Sequence, residues 1–175
     1  MGTDIHYFVE QKMYRHRYND PDRSGKWISI DKWTKSSWAI LYPERDESPT
    51  WIVESNDMVF KDRNYDLFAI LANIRNPENM PYISEPRGLP EDVSEEIRLQ
   101  IEYGEFHSTT WFTAKELLEF NWDQVFEYED ETMDGEVFID SVNYMECGSK
   151  LLDVVRNLVG RKEKSDFRII ITFDC

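Results

Sequence analysis

The sequence predicts an α+β fold, in which a mixed or antiparallel sheet contains the first and last strands and three to four helices lie between them. Segments of strand-like alternation open and close the chain, at 4–14 and 167–174. Helical periodicity dominates several segments between them. No repeat or linker-like stretch divides the 175 residues, and this length suits a single core. We therefore expect one domain over 1–175.

The opening segment, DIHYFVEQKMY, predicts a strand with one apolar and one mostly polar face. A polar turn that carries a glycine follows, and KWISIDKW then predicts a partner strand in a hairpin with a long loop. A short β-prone piece, WIVE, comes after a loop rich in proline and charge. The apolar face should carry Ile5, Tyr7, Val9, Gln11 and Met13, and the polar face Asp4, His6, Phe8, Glu10 and Lys12.

Residues 64–75, NYDLFAILANIR, are the clearest buried helix because they are apolar nearly all round. Pro77 should end this helix and place Arg75 in its last turn, at the negative end of the helix dipole. Asp92 with Glu95 resembles a capping box and predicts a second helix over about 93–103.

Three further segments complete the prediction. Thr113 with Glu116 forms another capping box and opens a short helix, AKELLEF. Ser149 should cap a last helix that ends at Gly160. Residues 127–136, EYEDETMDGE, contain six acids and predict a solvated loop between strand-like neighbours. The final segment, FRIIITFD, predicts a strand adjacent to the first one.

Composition narrows the classes of function. The formal net charge of −15 disfavours direct binding to nucleic acid, although an acidic surface can also imitate nucleic acid toward a basic partner. Cys147 and Cys175 form neither a disulfide framework nor a zinc signature. Without a signal peptide pattern or an apolar run of about 18 residues, we expect a soluble cytoplasmic protein with no membrane partner.

Asp4, His6 and Glu10 are the first candidate site residues, because a strand places them on one face. Asp4 and His6 are about 7 Å apart along the strand, so they could share a ligand, whereas Glu10 is about 13 Å beyond His6. The alternative is a sheet face that simply meets water.

Two other stretches contribute candidates. In FHSTTW, His107, Ser108 and Trp111 suggest the edge of a polar pocket, although an ordinary exposed loop histidine fits equally. In EPRGLP, prolines stiffen a turn that presents Arg87, whose planar guanidinium suits phosphate or carboxylate. A rigid surface turn is the alternative there, and Arg75 is a weaker candidate.

The motifs as a set resemble a family of uncharacterised proteins encoded in bacterial and phage genomes. The residues that carry the resemblance are the initial D-I-H with a later Glu, R-N-Y-D-L-F-A-I-L-A-N-I-R at 63–75, P-R-G-L-P-E-D-V-S at 86–94 and H-S-T-T-W at 107–111. They cover about the first two thirds of the chain. The resemblance implies a phage or mobile-element setting and no reaction type.

These observations leave three functions open. The first is a binding protein whose pocket captures a phosphorylated or nucleotide-derived ligand, for example a phage protein that sequesters a host signalling nucleotide. The second is a hydrolase or transferase that uses His6 or His107 as a general base, with Asp4 orienting it or sharing a metal. The third is an acidic interaction protein.

Several familiar metal-binding and phosphate-binding motifs are absent, and their absence does not decide among the three functions. Asp4, His6 and His107 could form a mixed metal site, but no HExxH motif or Cys cluster occurs, so no metal is predicted. The glycine-rich phosphate loops are also absent. The cofactor, the turnover of any ligand and homo-oligomerisation stay open. The predicted ligand-binding residues are Asp4, His6, Glu10, Arg75, Arg87, His107, Ser108 and Trp111.

Overall fold

The computed structural model describes residues 3–14, 24–44 and 49–174. Over these ranges it has eight β-strands, five α-helices and one short 3₁₀ helix. The strands are β1 (Asp4–Met13), β2 (Lys26–Ser29), β3 (Thr34–Lys35), β4 (Trp51–Ile52), β5 (His107–Thr113), β6 (Val125–Glu131), β7 (Val137–Asn143) and β8 (Phe167–Asp174). The helices are α1 (Ser37–Leu41), α2 (Tyr65–Ala72), α3 (Glu95–Tyr103), α4 (Ala114–Glu119) and α5 (Tyr144–Val159), with the 3₁₀ turn at Lys164–Asp166.

The first and last strands pair at the centre of the main sheet, which confirms the predicted α+β fold. This sheet has the order β2-β1-β8-β5 and is antiparallel throughout. β1 pairs with β8 from Asp4 opposite Asp174 to Gln11 opposite Phe167. The hairpin of β1 and β2 is confirmed as well, while part of its predicted loop lies outside the described residues. The antiparallel register brings the beginning of β1 beside the end of β8.

One face of the sheet carries the larger core. Ile5, Tyr7 and Val9 of β1 are buried there together with the alternate residues of β8 that begin with Phe167. Helices α2, α4 and α5 cover this face and contribute buried residues to the same cluster. Every residue from Leu67 to Ala72 is buried, so the predicted all-round apolar helix is confirmed.

The opposite face is also covered, which rules out, for Phe8 and Glu10, the alternative of a sheet face that simply meets water. Phe8 and Ile170 are buried beneath Val53 of the segment after β4 and beneath Ile97 of α3. Even Glu10 is fully buried. The sheet therefore lies between two layers, and alternation of polarity along β1 did not reveal the second one.

The end of α2 and the start of α3 differ from the predictions. α2 ends at Ala72 because Asn73 adopts the left-handed conformation (φ 56°) and its N–H bonds the carbonyl of Ala69. Arg75 therefore lies beyond the helix rather than in its last turn. α3 begins after Ser94, and no capping box with Asp92 forms, because the Asp92 carboxylate binds Arg168 instead.

The acidic segment 127–136 is another correction, since most of it belongs to β6 and its turn into β7. These two strands form a separate sheet paired from Val125 opposite Asn143 to Glu131 opposite Val137. The pairing is possible because Phe126 and Tyr128 alternate with the acids and pack against the larger core.

Asn143 caps α5, six residues before the predicted cap Ser149, which lies inside the helix. The predicted end at Gly160 and the capping box of Thr113 with Glu116 are both confirmed. α1 was not predicted because it buries none of its residues and so has no periodic signal. In the described ranges, no helix combines the length and apolarity that a membrane span requires.

Candidate functional site

The clearest candidate site is a cavity of about 510 Å³ at the end of the main sheet where β1 begins and β8 ends. We call it the terminal-strand pocket. Asp4, Ile5 and His6 contribute one side, and Asp174 comes from the adjacent strand. The segment between β4 and α2 supplies the remainder, namely Ser55, Met58, Lys61, Asp62 and Arg63.

His6 forms the central polar contact of this pocket. Its Nε2 lies 3.0 Å from Oδ2 of Asp174. The ring of Phe106 packs edge-on against the imidazole with centroids 4.8 Å apart. A carboxylate partner fixes the orientation of a histidine ring. The pair thus resembles the base-and-orienter arrangement of acid–base catalysis.

The remaining charged groups of the pocket each have a hydrogen-bond or ion-pair partner. Asp4 Oδ1 lies 3.3 Å from Nε of Arg63, and Asp62 pairs with Lys150 at 3.3 Å. Lys61 donates to the hydroxyl of Ser55 at 2.6 Å and forms no ion pair with any described residue. The exposed pairs can exchange partners with a ligand at small cost because solvent screens them.

Glu10 does not line this pocket. Its carboxylate is buried and accepts from the Arg168 guanidinium at 2.5 Å and from the Ser94 backbone N–H at 2.6 Å. Arg168 also bonds Asp92 and lies 4.2 Å above the ring of Trp27. A buried carboxylate with these partners holds the sheet to the segment before α3.

Asp31 is a neighbouring buried acid that the sequence did not single out. It accepts from the Val9 N–H at 2.8 Å and from the Ser29 hydroxyl at 2.9 Å. Burial raises its pKa to about 6, with a further contribution from the negative charge of Glu10, while the two hydrogen bonds oppose the rise. It lies after β2, where its bond ties that segment to β1.

Arg87 and Trp111 meet each other on β5, away from the terminal-strand pocket. The guanidinium lies 5.3 Å from the Trp111 ring and donates to the Trp111 carbonyl at 3.1 Å. It also pairs with Glu116 at 2.8 Å. Partial burial raises the pKa of Glu116, but the hydrogen bonds from Thr113 and Arg87 outweigh this effect and hold the pKa below its usual range. One nitrogen of the predicted phosphate fork, Nη1 of Arg87, therefore already bonds protein groups.

His107 and Ser108 lie at the beginning of β5, where the pairing with β8 is interrupted by a register shift. His107 Nδ1 lies 3.0 Å from the Ser108 hydroxyl, and its ring stacks on Phe173 at 6.2 Å. Ser108 adopts a left-handed backbone (φ 52°). Neither residue lines the terminal-strand pocket.

Arg75 lines a second cavity of about 680 Å³ between the turn after α2 and the sheet of β6 and β7. Its Nε donates to the Thr3 hydroxyl at 2.8 Å, and its guanidinium lies 5.5 Å from the Tyr65 ring. Of the eight predicted ligand-binding residues, the terminal-strand pocket therefore brings together Asp4 and His6 alone.

Lys61, Arg63 and Asp174 were missed as site residues, although two of them left a signal. Asp174 ends the last strand, which was predicted to lie beside the first, and the antiparallel pairing places it opposite Asp4. Arg63 opens the quoted R-N-Y-D-L-F-A motif. Lys61 left none, because it lies in an irregular segment. Among the described residues, no cluster of three or more His, Cys, Asp or Glu side chains could hold a metal ion.

Comparison with known proteins does not indicate a function, so the assignment of function rests on the geometry of the site. The chain matches no protein family model, no curated protein and no solved structure. The resemblance of its motifs to bacterial and phage proteins therefore stays a prediction.

Proposed function

We propose that this chain binds a small phosphorylated, nucleotide-derived ligand in the terminal-strand pocket. The observation that carries the proposal is the convergence of His6, Lys61 and Arg63 on one cavity of about 510 Å³. This volume suits a mononucleotide-sized ligand. The three side chains can donate to a phosphate group, for which a guanidinium offers paired donors and an ammonium a compact charge.

The pocket also contains three acidic residues, and each of them has a cationic or histidine partner. A phosphate that takes Arg63 from Asp4 leaves an exposed carboxylate that water solvates readily. Ile5 and Met58 supply an apolar part of the wall, against which a base or another ring can pack. The protein's net charge of −15 slows the approach of anions, so affinity must come from these local groups.

Calorimetry with a panel of nucleoside phosphates tests the proposal. We expect Arg63→Ala and Lys61→Ala each to weaken the best ligand about tenfold or more, since each removes a charge-assisted hydrogen bond. The matched controls are Arg161→Ala and Lys115→Ala, which remove exposed charges elsewhere and should leave affinity unchanged. Equal losses of ligand affinity in the pocket variants and the control variants, or no heat of binding with any ligand, would overturn the proposal.

The second candidate function is a hydrolase or transferase with His6 as general base. The contact between His6 and Asp174 favours it, and it replaces Asp4 with Asp174 as the orienting group. The ligand recovered after the complex is heated separates the two functions: intact ligand supports binding, and altered ligand supports turnover. For an enzyme, His6→Gln should abolish turnover, and Asp174→Asn should reduce it by at least about tenfold.

The biological setting that we propose is capture of a host signalling nucleotide by a phage protein, in the cytoplasm of a bacterial cell. This setting rests on the resemblance of the motifs. The third predicted function, an acidic interaction protein, concerns a different part of the molecule, the sheet of β6 and β7.

A further inference from the structure

The two-stranded sheet of β6 and β7 combines exposed apolar residues with acidic ones. Neither group takes part in ligand binding at the terminal-strand pocket. The pairing of β6 with β7 places alternate residues on a face directed away from the core. On this face, Ile139 lies opposite Glu129 and Val137 opposite Glu131. We call this surface the hairpin outer face, and it comprises Val125, Glu127, Glu129, Glu131, Val137, Ile139 and Ser141.

The apolar residues of the hairpin outer face are unusually exposed. Val137 is 65% and Ile139 62% exposed, and Val125 and the turn residue Met133 are exposed as well. Exposed β-branched residues in neighbouring positions on a paired strand favour association with another surface. A hairpin of two strands also gains little stability by itself.

The charge of the same hairpin determines which surface can cover it. Val125–Asn143 contains seven acidic residues and neither Lys nor Arg. Glu127, Glu129 and Glu131 lie on the outer face, about 7 Å apart from one to the next. Their mutual repulsion destabilises the free hairpin, and a cationic surface would relieve it.

This negative charge disfavours three other molecules that could cover an exposed apolar face: a second copy of the chain, an anionic lipid surface and a nucleic acid. A second copy of the chain would oppose two acidic hairpins, and like charges across an interface are costly. Anionic lipid surfaces and nucleic acids are repelled for the same reason. A protein surface that combines basic residues with apolar ones satisfies both properties of the face.

We propose that the hairpin outer face is a docking surface for a basic protein partner with an apolar patch. The Glu residues pair with Lys or Arg of the partner, and Val137 and Ile139 pack against its apolar groups. Charge then sets encounter and orientation, and the apolar pair provides the specificity that charge alone lacks.

Binding of a short peptide of alternating lysine and isoleucine, compared with the same peptide carrying serine for isoleucine, tests the proposal. We expect the lysine–isoleucine peptide to bind at least about tenfold more tightly, and the difference to persist when salt screens the charges. The double variants V137T/I139T and E129Q/E131Q should each weaken it about tenfold. All four positions are exposed, so circular dichroism should show unchanged folding.

Leu41→Thr and Glu163→Gln are the matched controls, since they change an exposed apolar residue and an exposed acid elsewhere, and they should leave peptide affinity unchanged. Equal affinity for the two peptides would show that this surface binds by non-specific charge attraction alone, and it would overturn the proposal. A dimer in sedimentation that V137T/I139T dissociates would instead place a second copy on this face. Neither outcome bears on ligand binding at the terminal-strand pocket.

Discussion

At the scale of single residues, the opening strand contains two acids with opposite roles. Asp4 is exposed beside the terminal-strand pocket and pairs with Arg63. Glu10 is buried between Arg168 and the Ser94 N–H. They lie on the same face of β1, so their difference comes entirely from what the rest of the chain places above that face.

The variants Glu10→Gln and Asp4→Asn should separate these roles. Glu10→Gln leaves the buried Arg168 without its closest anionic partner, so we expect a loss of about 3 kcal/mol in the free energy of unfolding. Asp4→Asn should leave that free energy nearly unchanged, because solvent screens the exposed pair. Urea denaturation followed by circular dichroism measures both. Similar small losses would contradict a structural role for Glu10.

Asp31 makes stability depend on pH. Its pKa in the folded protein is about 6, against an ordinary 3.8, so the folded state holds this proton more tightly than the unfolded state. The stability that protonated Asp31 contributes is present below about pH 4 and is lost as the pH rises through about 6.

Replacing Asp31 with Asn removes this titration. As the pH rises from 4 to 7.5, the free energy of unfolding of Asp31→Asn should therefore increase relative to the wild type by up to about 3 kcal/mol. Denaturation curves of the variant and the wild type at several pH values measure this difference in free energy. The titration of the other carboxylates is common to both proteins, so it cancels in the difference. A difference that does not vary with pH would show that the pKa of Asp31 is ordinary.

At the scale of elements, the helix termini show how much of the fold the sequence could predict. The capping box at Thr113 was predictable because both of its hydrogen bonds lie within one turn. The similar pair Asp92 and Glu95 failed as a cap because a residue 76 positions away, Arg168, takes the Asp92 carboxylate. Local patterns predict local partners, and they fail where a distant charge competes.

Substitution of the two cap residues should therefore have unequal effects. Thr113→Ala removes the hydroxyl that accepts from the Glu116 N–H, so we expect it to cost about 1 kcal/mol of stability. Ser94→Ala should cost much less, because the Ser94 side chain makes no capping bond and its buried hydroxyl has no partner among the described residues. Thermal or urea unfolding compares them directly. Equal losses would contradict the assigned cap geometry.

Gly148 offers a test of packing within α5. Alanine normally stabilises a helix interior relative to glycine by about 1 kcal/mol. Here an added Cβ would approach an atom of the Trp122 ring too closely for any real contact, so Gly148→Ala should instead destabilise by about 1–3 kcal/mol. Ser149→Ala is the control in the same helix and should be nearly neutral. A stabilised Gly148→Ala protein would show that Trp122 can move away.

At the scale of the whole molecule, the sheet topology explains which part of the site was predictable. Strands at both ends of the chain with helices between them suggested adjacent terminal strands, and their antiparallel pairing places His6 near Asp174. The positions of Lys61 and Arg63 were not predictable, because they depend on an irregular segment that crosses the end of the sheet. Arg87 is a different case: its chemistry suited phosphate, but the chain places it away from the pocket, where its Nη1 pairs with Glu116.

The distribution of charge over the molecule separates its two proposed surfaces. Lys61 and Arg63 lie among three aspartates at the terminal-strand pocket, whereas the hairpin of β6 and β7 carries seven acids and neither Lys nor Arg. The proposed phosphorylated ligand and the proposed basic partner therefore have different places to bind. We expect loss of one interaction, through Arg63→Ala or E129Q/E131Q, to leave the other unchanged, because the substituted positions belong to different elements.

Binding at the terminal-strand pocket is the central claim, and histidine side-chain NMR tests it most directly. During titration with nucleoside mono- and diphosphates, the ring resonances of His6 should shift in a saturable manner. Those of His107, which does not line the pocket, should stay nearly constant. The Arg63→Ala protein should require a higher ligand concentration for the same shift. Constant His6 resonances with every ligand of the panel, or equal shifts of both histidines, would contradict the claim.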